Sequence, residues 1–175
     1  LEKMYETNKE SHVLLIVPAS LLGNWSKEID KFAPRMTYHI LHGKTNILDE
    51  DCFATITTYG MALRMECLQE RVWDCLILDE AQAIKNPGTK QTRAIKKIPS
   101  QMRIAMTGTP IENDLSNLWS LFDFLNKGLL GSATDFKNYT KKVQAYPEYM
   151  SKLKMMVSPF ILRRLKTDKS IISDL

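Results

Sequence analysis

The stretch "WDCLILDEAQAIKN" (Trp73–Asn86) sets two acids, Asp79 and Glu80, directly after a short apolar run. Such a run, closed abruptly by polar residues, reads as a strand buried on both faces, and strands of that kind belong to parallel sheets covered by helices. "HVLLIVP" (His12–Pro18) has the same character and is stopped by proline. Further strands are expected at Met36–Leu41, Phe53–Thr58, Asp74–Leu78 and Met102–Met106. Most are separated by segments long enough for crossovers, which predicts a three-layer α/β/α domain with a mostly parallel sheet. Function in such sheets collects in loops beyond the carboxyl ends of the strands. Asp79 and Glu80 fall at one of those ends.

Ser20 is expected to cap a helix whose apolar positions Leu21, Leu22, Trp25, Ile29 and Phe32 recur at helical spacing before Pro34. Trp25 lies on that apolar face and reads as core. After Asn113 the pattern turns helical. "LSNLWSLFDFL" (Leu115–Leu125) is amphipathic, Gly128 and Gly131 break it, and Thr134–Val143 and Glu148–Val157 read as two more helices. The division expected is a sheet lobe over residues 1–113 and a helical extension of that lobe over 114–175.

The 175 residues include 44% hydrophobic and 25% charged side chains, which fits a soluble globular domain. No apolar run approaches ~18 residues and no N-terminal signal pattern is present, which argues against membrane insertion or export. Cys52, Cys67 and Cys75 are odd in number and lack C-x-x-C spacing. That argues against structural disulfides and a zinc site, and fits a reducing cytoplasm. Charge is unevenly spread. Residues 1–80 carry 8 basic and 13 acidic side chains, residues 137–175 carry 9 and 3. The basic end suits a phosphate backbone or a solvated lysine-rich surface, and both readings stay open on charge alone.

"YHILHGKTN" (Tyr38–Asn46) ends in the letters of a phosphate-binding loop, Gly43, Lys44 and Thr45. That loop needs a first glycine where Tyr38 stands, and residues 39–42 read as strand where the backbone would have to curl, so an ordinary turn is expected. The chemistry is better placed at Asp79 and Glu80. A carboxylate at a strand end can hold Mg²⁺, usually through water, and its neighbour can orient a water attacking a γ-phosphate. "MTGTPIEN" (Met106–Asn113) then follows another buried strand with two hydroxyls flanking a glycine. The order strand, DEAQ, crossover, strand, TGTP is far more specific than either motif alone.

With these motifs the chain resembles the first RecA-like lobe of the Swi/Snf-type, helicase-like DNA translocases of superfamily two. The resemblance rests on "LLIVPASLLGNWSKEIDKFAP" (14–34), "TITTYGMALR" (55–64), "LILDEAQAIKNPGTKQTRAIKKI" (76–98), "MTGTPIENDLSNLWSLFDFLNKGLLGS" (106–132) and "PFILRRLKTD" (159–168), in family order. "GTPIEN", "LWSLFDFL" and "LRRLKTD" point to the Swi/Snf branch rather than to unwinding helicases.

The resemblance implies ATP and Mg²⁺ as cofactors, with Asp79 on the metal mainly through water and Glu80 on the hydrolytic water. It implies that Thr107, Gly108 and Thr109 couple the nucleotide pocket to the nucleic-acid track. Pro18, Ala19 and Ser20 with Asn24 and Trp25, and separately Thr57, Thr58 and Tyr59, match segments lining that track, although the place of Trp25 on the apolar helix face favours core. Gln82 stands where the family most often has histidine. It can hydrogen-bond to the Thr-Gly-Thr loop or another lobe, but cannot titrate near neutrality. Lys85, with Asn86 and Lys90, reads equally as a DNA contact or as solvated surface. Arg163 and Arg164 fall in a segment that leads to a second RecA-like lobe, one facing DNA or that lobe and the other a carboxylate, in an order the sequence leaves open. Partners implied are double-stranded DNA and the second lobe, with no membrane.

The resemblance also places a Gly-Lys-Thr loop upstream of Val13 and the second lobe after Leu175. The expectation is therefore that these 175 residues hydrolyse ATP negligibly by themselves, and that Arg103–Thr107 lies at a sheet edge. The rival reading is a non-catalytic DNA-binding module using the basic tail. A small-molecule enzyme on a doubly wound sheet would need a glycine-rich loop after the first strand, where "PASLLGN" offers one glycine.

Overall fold

Val13–Val17 have no accessible surface and form β1, the middle strand of the sheet. In the computed structural model, which describes residues 1–44, 47–108 and 115–163, β1 pairs with β3 (Ala54–Thr58) and with β4 (Trp73–Leu78). β2 (Tyr38–Leu41) and β5 (Ser100–Ala105) complete the order β2-β3-β1-β4-β5. Every pairing is parallel. The expected α/β architecture with a parallel sheet is thus present. The inner strands β1, β3 and β4 form it because successive side chains leave opposite faces and both faces are covered there, while β2 and β5 at the edges are only partly buried.

On one face Leu14, Ile16, Leu76 and Leu78 pack with residues of α3 (Tyr59–Arg64), α4 (Lys90–Lys97) and α5 (Leu115–Leu125), among them Tyr59, Ala62, Ile95, Leu121 and Phe124. On the other, Val13, Leu15, Val17, Cys75 and Ile77 pack with Met4 and Tyr5 of α1 (Glu2–Thr7) and Leu22 and Ile29 of α2 (Leu22–Phe32). Each fully buried aliphatic side chain contributes about 1.5–3 kcal/mol relative to exposure.

Two local expectations change. α2 begins at Leu22, and Ser20 lies in a 3-10 turn, Ala19–Leu21, so it does not cap the helix. The Pro18 carbonyl accepts the Leu21 N–H at 2.9 Å, closing a tighter turn that carries the helix start past the serine. Phe32, expected on the apolar face, is 58% exposed at the last residue of the helix. The segment before Gly43 is strand as expected, and Gly43 makes the turn at φ +74°; Thr45 and Asn46 lie outside the described residues.

β5 is an edge strand, and among the described residues no strand pairs with its outer side. Its inner-face residue Arg103 fastens three elements. The guanidinium donates to the carbonyls of Phe124 at the end of α5 and Ile98 after α4, each at 2.9 Å, and to Ser100 Oγ at 2.9 Å. It also lies over the Phe124 ring at 4.9 Å. Burial pushes its pKa down, Asp123 opposing. A partly buried ion pair, Lys96 to Asp123 at 2.8 Å, joins α4 to α5 nearby. The other face of β5, expected to be buried, is only partly covered: Met102 is 42% and Ile104 38% exposed.

These elements form one compact unit, Leu1–Gly131; a second runs from Ser132. In the second, α6 (Ala133–Ala145) starts with a capping box in which Ser132 and Asp135 satisfy each other's backbone N–H groups, and α7 (Pro147–Val157) has proline at its first position. Tyr139 of α6 donates to the Tyr149 carbonyl of α7 at 2.9 Å. Lys142 and Lys152 both approach the Tyr149 ring, at 5.8 and 5.3 Å, while Lys137 and Lys141 are exposed. No helix among the described residues is long and apolar enough to cross a membrane.

The contrast between the fully and the partly covered parts of the sheet is measurable. Leu76→Ala, at a fully buried position, is expected to lower unfolding free energy by about 2–5 kcal/mol. Ile104→Thr, which keeps β-branching, is expected to cost less than about 1 kcal/mol. Urea unfolding that gave equal losses would contradict the description of β5.

Candidate functional site

Parallel register brings the carboxyl ends of four strands to one edge. Val17 is level with Thr58, Ile16 with Leu78, and Leu78 with Ala105. The chain leaves β1 toward β2 and β3 on one side and later builds β4 and β5 on the other, so β1 and β4 flank the place where strand order reverses. Open α/β sheets form their ligand crevice at such a point. Pro18, Tyr59, Asp79 and the Met106–Thr107 segment follow the four strand ends.

At that edge the Asp79 N–H donates to the Ile16 carbonyl at 2.9 Å, carrying the β4–β1 ladder one residue beyond the strand. The carboxylate is held at both oxygens: Oδ1 accepts the Glu80 N–H at 2.9 Å, and Oδ2 accepts Trp25 Nε1–H at 2.8 Å. Tyr59 donates its hydroxyl to the Asp79 carbonyl at 2.7 Å. Burial, and then the charges of Asp79 and Glu80, push the Tyr59 hydroxyl well above the ordinary tyrosine range, which keeps it a donor.

Glu80 has φ +50° and ψ +52°, a left-handed conformation that costs a non-glycine residue roughly 1–2 kcal/mol. On a continuing strand adjacent side chains would point to opposite faces; the left-handed residue breaks that alternation. Ala81 and Ile84 of the following 3-10 turn are fully buried, which leaves Gln82 directed into the site. The Ala81 N–H donates to the Met106 carbonyl and the Met106 N–H to the Leu78 carbonyl, both at 2.8 Å. These bonds set Thr107 beside Gln82. The Gln82 amide then bridges: Nε2–H donates to Glu80 Oε2 at 2.6 Å and Oε1 accepts from Thr107 Oγ1 at 2.9 Å. From behind, Ser120 donates to the Ile84 carbonyl at 2.6 Å and Gln91 to the Ala83 carbonyl at 3.2 Å.

Asp79, Glu80, Gln82 and Thr107 are therefore joined in one hydrogen-bonded group. The other sequence-predicted residues are placed differently. Thr57 is fully buried and its hydroxyl donates to the Leu41 carbonyl at 2.8 Å, so that side chain stitches β3 to β2 and does not face solvent. Thr58 caps α3 by accepting the Met61 N–H at 3.2 Å, and Tyr59 is turned inward to Asp79. Ser20, Asn24, Lys85 and Gly108 are exposed and Pro18 is half-buried. Arg163 is exposed in the second unit. Thr109 and Arg164 lie outside the described residues.

Trp25 was expected in the core, and its half-buried ring does pack against the α2-side cluster. Its N–H reaching Asp79 was missed. The available signal was chemical: a tryptophan turned inward brings a donor that needs an acceptor, which leucine or phenylalanine would not.

Two other chemistries fit poorly. Burial first and Asp49 second push the Cys52 thiol up to about 11, and burial pushes Cys75 up to about 11, so neither is a thiolate near neutrality. Among the described residues no group of three or more His, Cys, Asp or Glu side chains could hold a metal unaided. A cation here would need ligands beyond Asp79.

A family model described as SNF2-related domain matches residues 1–172. The chain is 40% identical over 173 residues to YwqA of Bacillus subtilis, assigned as an ATP-dependent helicase/translocase, a match covering 93% of this chain and 19% of that protein. It is 35% identical to human DNA excision repair protein ERCC-6-like, over 96% of this chain and 16% of that protein. It therefore spans about a fifth or less of these relatives' length. Among solved structures, the SWI2/SNF2 ATPase core of Sulfolobus solfataricus in complex with dsDNA superposes with a TM-score of 0.91 at 44% identity, over 99% of this chain and 38% of that one.

The left-handed Glu80 gives a clean stability test. Glu80→Gly and Glu80→Ala both delete the carboxylate and its bond to Gln82, but only glycine relieves the positive φ. The glycine variant is expected to be about 1 kcal/mol more stable in urea, reversing the usual preference for alanine. Alanine the more stable of the two would contradict the backbone geometry.

Proposed function

The chain belongs to the SNF2-related domain family, and on that premise we propose that its carboxyl-edge site serves ATP hydrolysis in a motor acting on double-stranded DNA. The observation that carries the reading is the Asp79–Glu80–Gln82–Thr107 group, hydrogen-bonded across β4 and β5. Phosphoryl transfer asks little covalent chemistry of a protein and much positioning. Two carboxylates fixed by hydrogen bonds at a strand-order reversal suit that demand.

The residues fit a Mg²⁺ ion held mainly through water. Asp79 is half-buried, and each of its oxygens accepts one hydrogen bond and retains a lone pair. The lack of a three-ligand protein cage agrees with the habit of Mg²⁺, which keeps waters and binds through one or two carboxylates plus phosphates. When bound, the ion neutralises charge on the phosphate oxygens. Glu80 would accept a hydrogen bond from the attacking water at the carboxylate oxygen not engaged by Gln82. Gln82 holds that carboxylate in place and, through Thr107, ties it to the segment after β5. In this reading the segment beginning at Thr107 and Gly108 conveys the state of the pocket to the DNA track, which Pro18, Ser20, Asn24 and Lys85 would help to line.

Neither Asp79 nor Glu80 makes an ion pair with a described residue. In this reading the charge of the transferred phosphoryl group is met by cations, for which a second RecA-like lobe is the proposed source. Loss of an arginine finger alone costs ~10³–10⁵ in rate, so the 175 residues alone are expected to hydrolyse ATP negligibly.

The test is Glu80→Gln in an active, family-length protein carrying these residues. ATP binding is expected to persist while DNA-stimulated turnover falls by about 10²–10⁴. Unchanged turnover would remove Glu80 from the chemistry, and DNA-stimulated turnover by the isolated 175 residues at a rate of 1 s⁻¹ or more, on the order of ordinary enzymes, would overturn the need for a second lobe.

A further inference from the structure

We propose that Trp25 is a positioning residue for the Asp79 carboxylate, its indole N–H fixing the rotation of that group and linking it to α2. The inference rests on the metal role proposed for Asp79. A carboxylate at the end of a strand is free to rotate about its last bond unless both oxygens are engaged. Here they are engaged from independent directions: Oδ1 by the N–H of the next residue, Oδ2 by an indole carried on a helix 54 residues upstream in sequence. The first bond is local and available to any residue at position 80 other than proline. The second requires this side chain.

The donor type matters. An indole N–H is neutral and donor-only, so it orients the carboxylate without neutralising it, whereas lysine or arginine would compete with a cation for the same charge. Packing alone does not explain the choice, because the ring's apolar contacts with the α2-side cluster would be met by phenylalanine. Among the described residues Trp25 is also the side-chain hydrogen bond from α2 to the acidic turn. Asn24, its exposed neighbour, stands one residue away on the same helix. A ligand shifting α2 would reach the metal carboxylate through this bond.

The chain itself supplies the reporters. Its three indoles donate to three different acceptors: Trp25 to Asp79, Trp73 to the Leu68 carbonyl, Trp119 to the Gly131 carbonyl. In ¹⁵N spectra of the 175-residue protein without metal, Asp79→Asn is expected to move the Trp25 indole resonance and leave the other two. Titration with Mn²⁺ alone is expected to broaden the Glu80 amide and the Trp25 indole before the Trp73 and Trp119 indoles. In Trp25→Phe, half-broadening of the Glu80 amide is expected to need about tenfold more Mn²⁺, the scale of outer-shell ligand effects. Selective broadening with unchanged Mn²⁺ demand in Trp25→Phe overturns the positioning role alone. Unselective broadening overturns the metal role of Asp79, and this inference with it. An unmoved Trp25 resonance in Asp79→Asn overturns the hydrogen bond itself, whether or not the phenylalanine variant folds.

Discussion

The constraint on which the site depends is the continuation of backbone pairing beyond the ends of β4 and β5. Asp79 N–H to Ile16, Met106 N–H to Leu78 and Ala81 N–H to Met106 carry the ladder past the last strand residues. Those three bonds bring two loops of distant sequence into register, so that Gln82 meets Thr107. Without them Asp79 and Glu80 would be two acids at a surface. With them the left-handed turn at Glu80 is enforced, because Ala81 must return to Met106 while Ala81 and Ile84 enter the core. Strain at a residue held in place by surrounding structure is a usual mark of a functional position.

Neutral donors do all the holding. An indole, two amides and a phenol fix the acidic turn, and no described cation pairs with either carboxylate. Each hydrogen bond to a charged group contributes about 1.5–3 kcal/mol, enough to fix geometry. None cancels the negative charge, which stays available to a divalent ion and to the proton of a water. A site built on ion pairs would cancel part of that charge and be worse at that task.

The fold was legible where burial is symmetric. β1 and β4 are apolar at every or nearly every position because helices cover both faces, and Leu115–Leu125 showed a continuous helical stripe that the structure keeps to the residue. The acidic turn was legible because its position after an apolar run is itself the geometry. Side-chain direction was less so. Thr57 presents a hydroxyl in sequence, yet the strand pleat turns it to the Leu41 carbonyl. Ser20 looked like a cap because helical spacing starts beside it, but the turn closed by Pro18 starts the helix two residues later. Trp25 was readable by period as core and by chemistry as a donor, and period alone does not reveal an acceptor 54 positions away.

The most direct measurement is anomalous diffraction from Mn²⁺ in crystals of a family-length protein carrying these residues, grown with a non-hydrolysable ATP analogue. The expected result is a metal peak within one water of Asp79, with the terminal phosphate of the analogue facing Glu80. A metal peak away from the carboxyl edge of β4, with Glu80 turned from the phosphate, would contradict the assignment of this edge as the hydrolytic site.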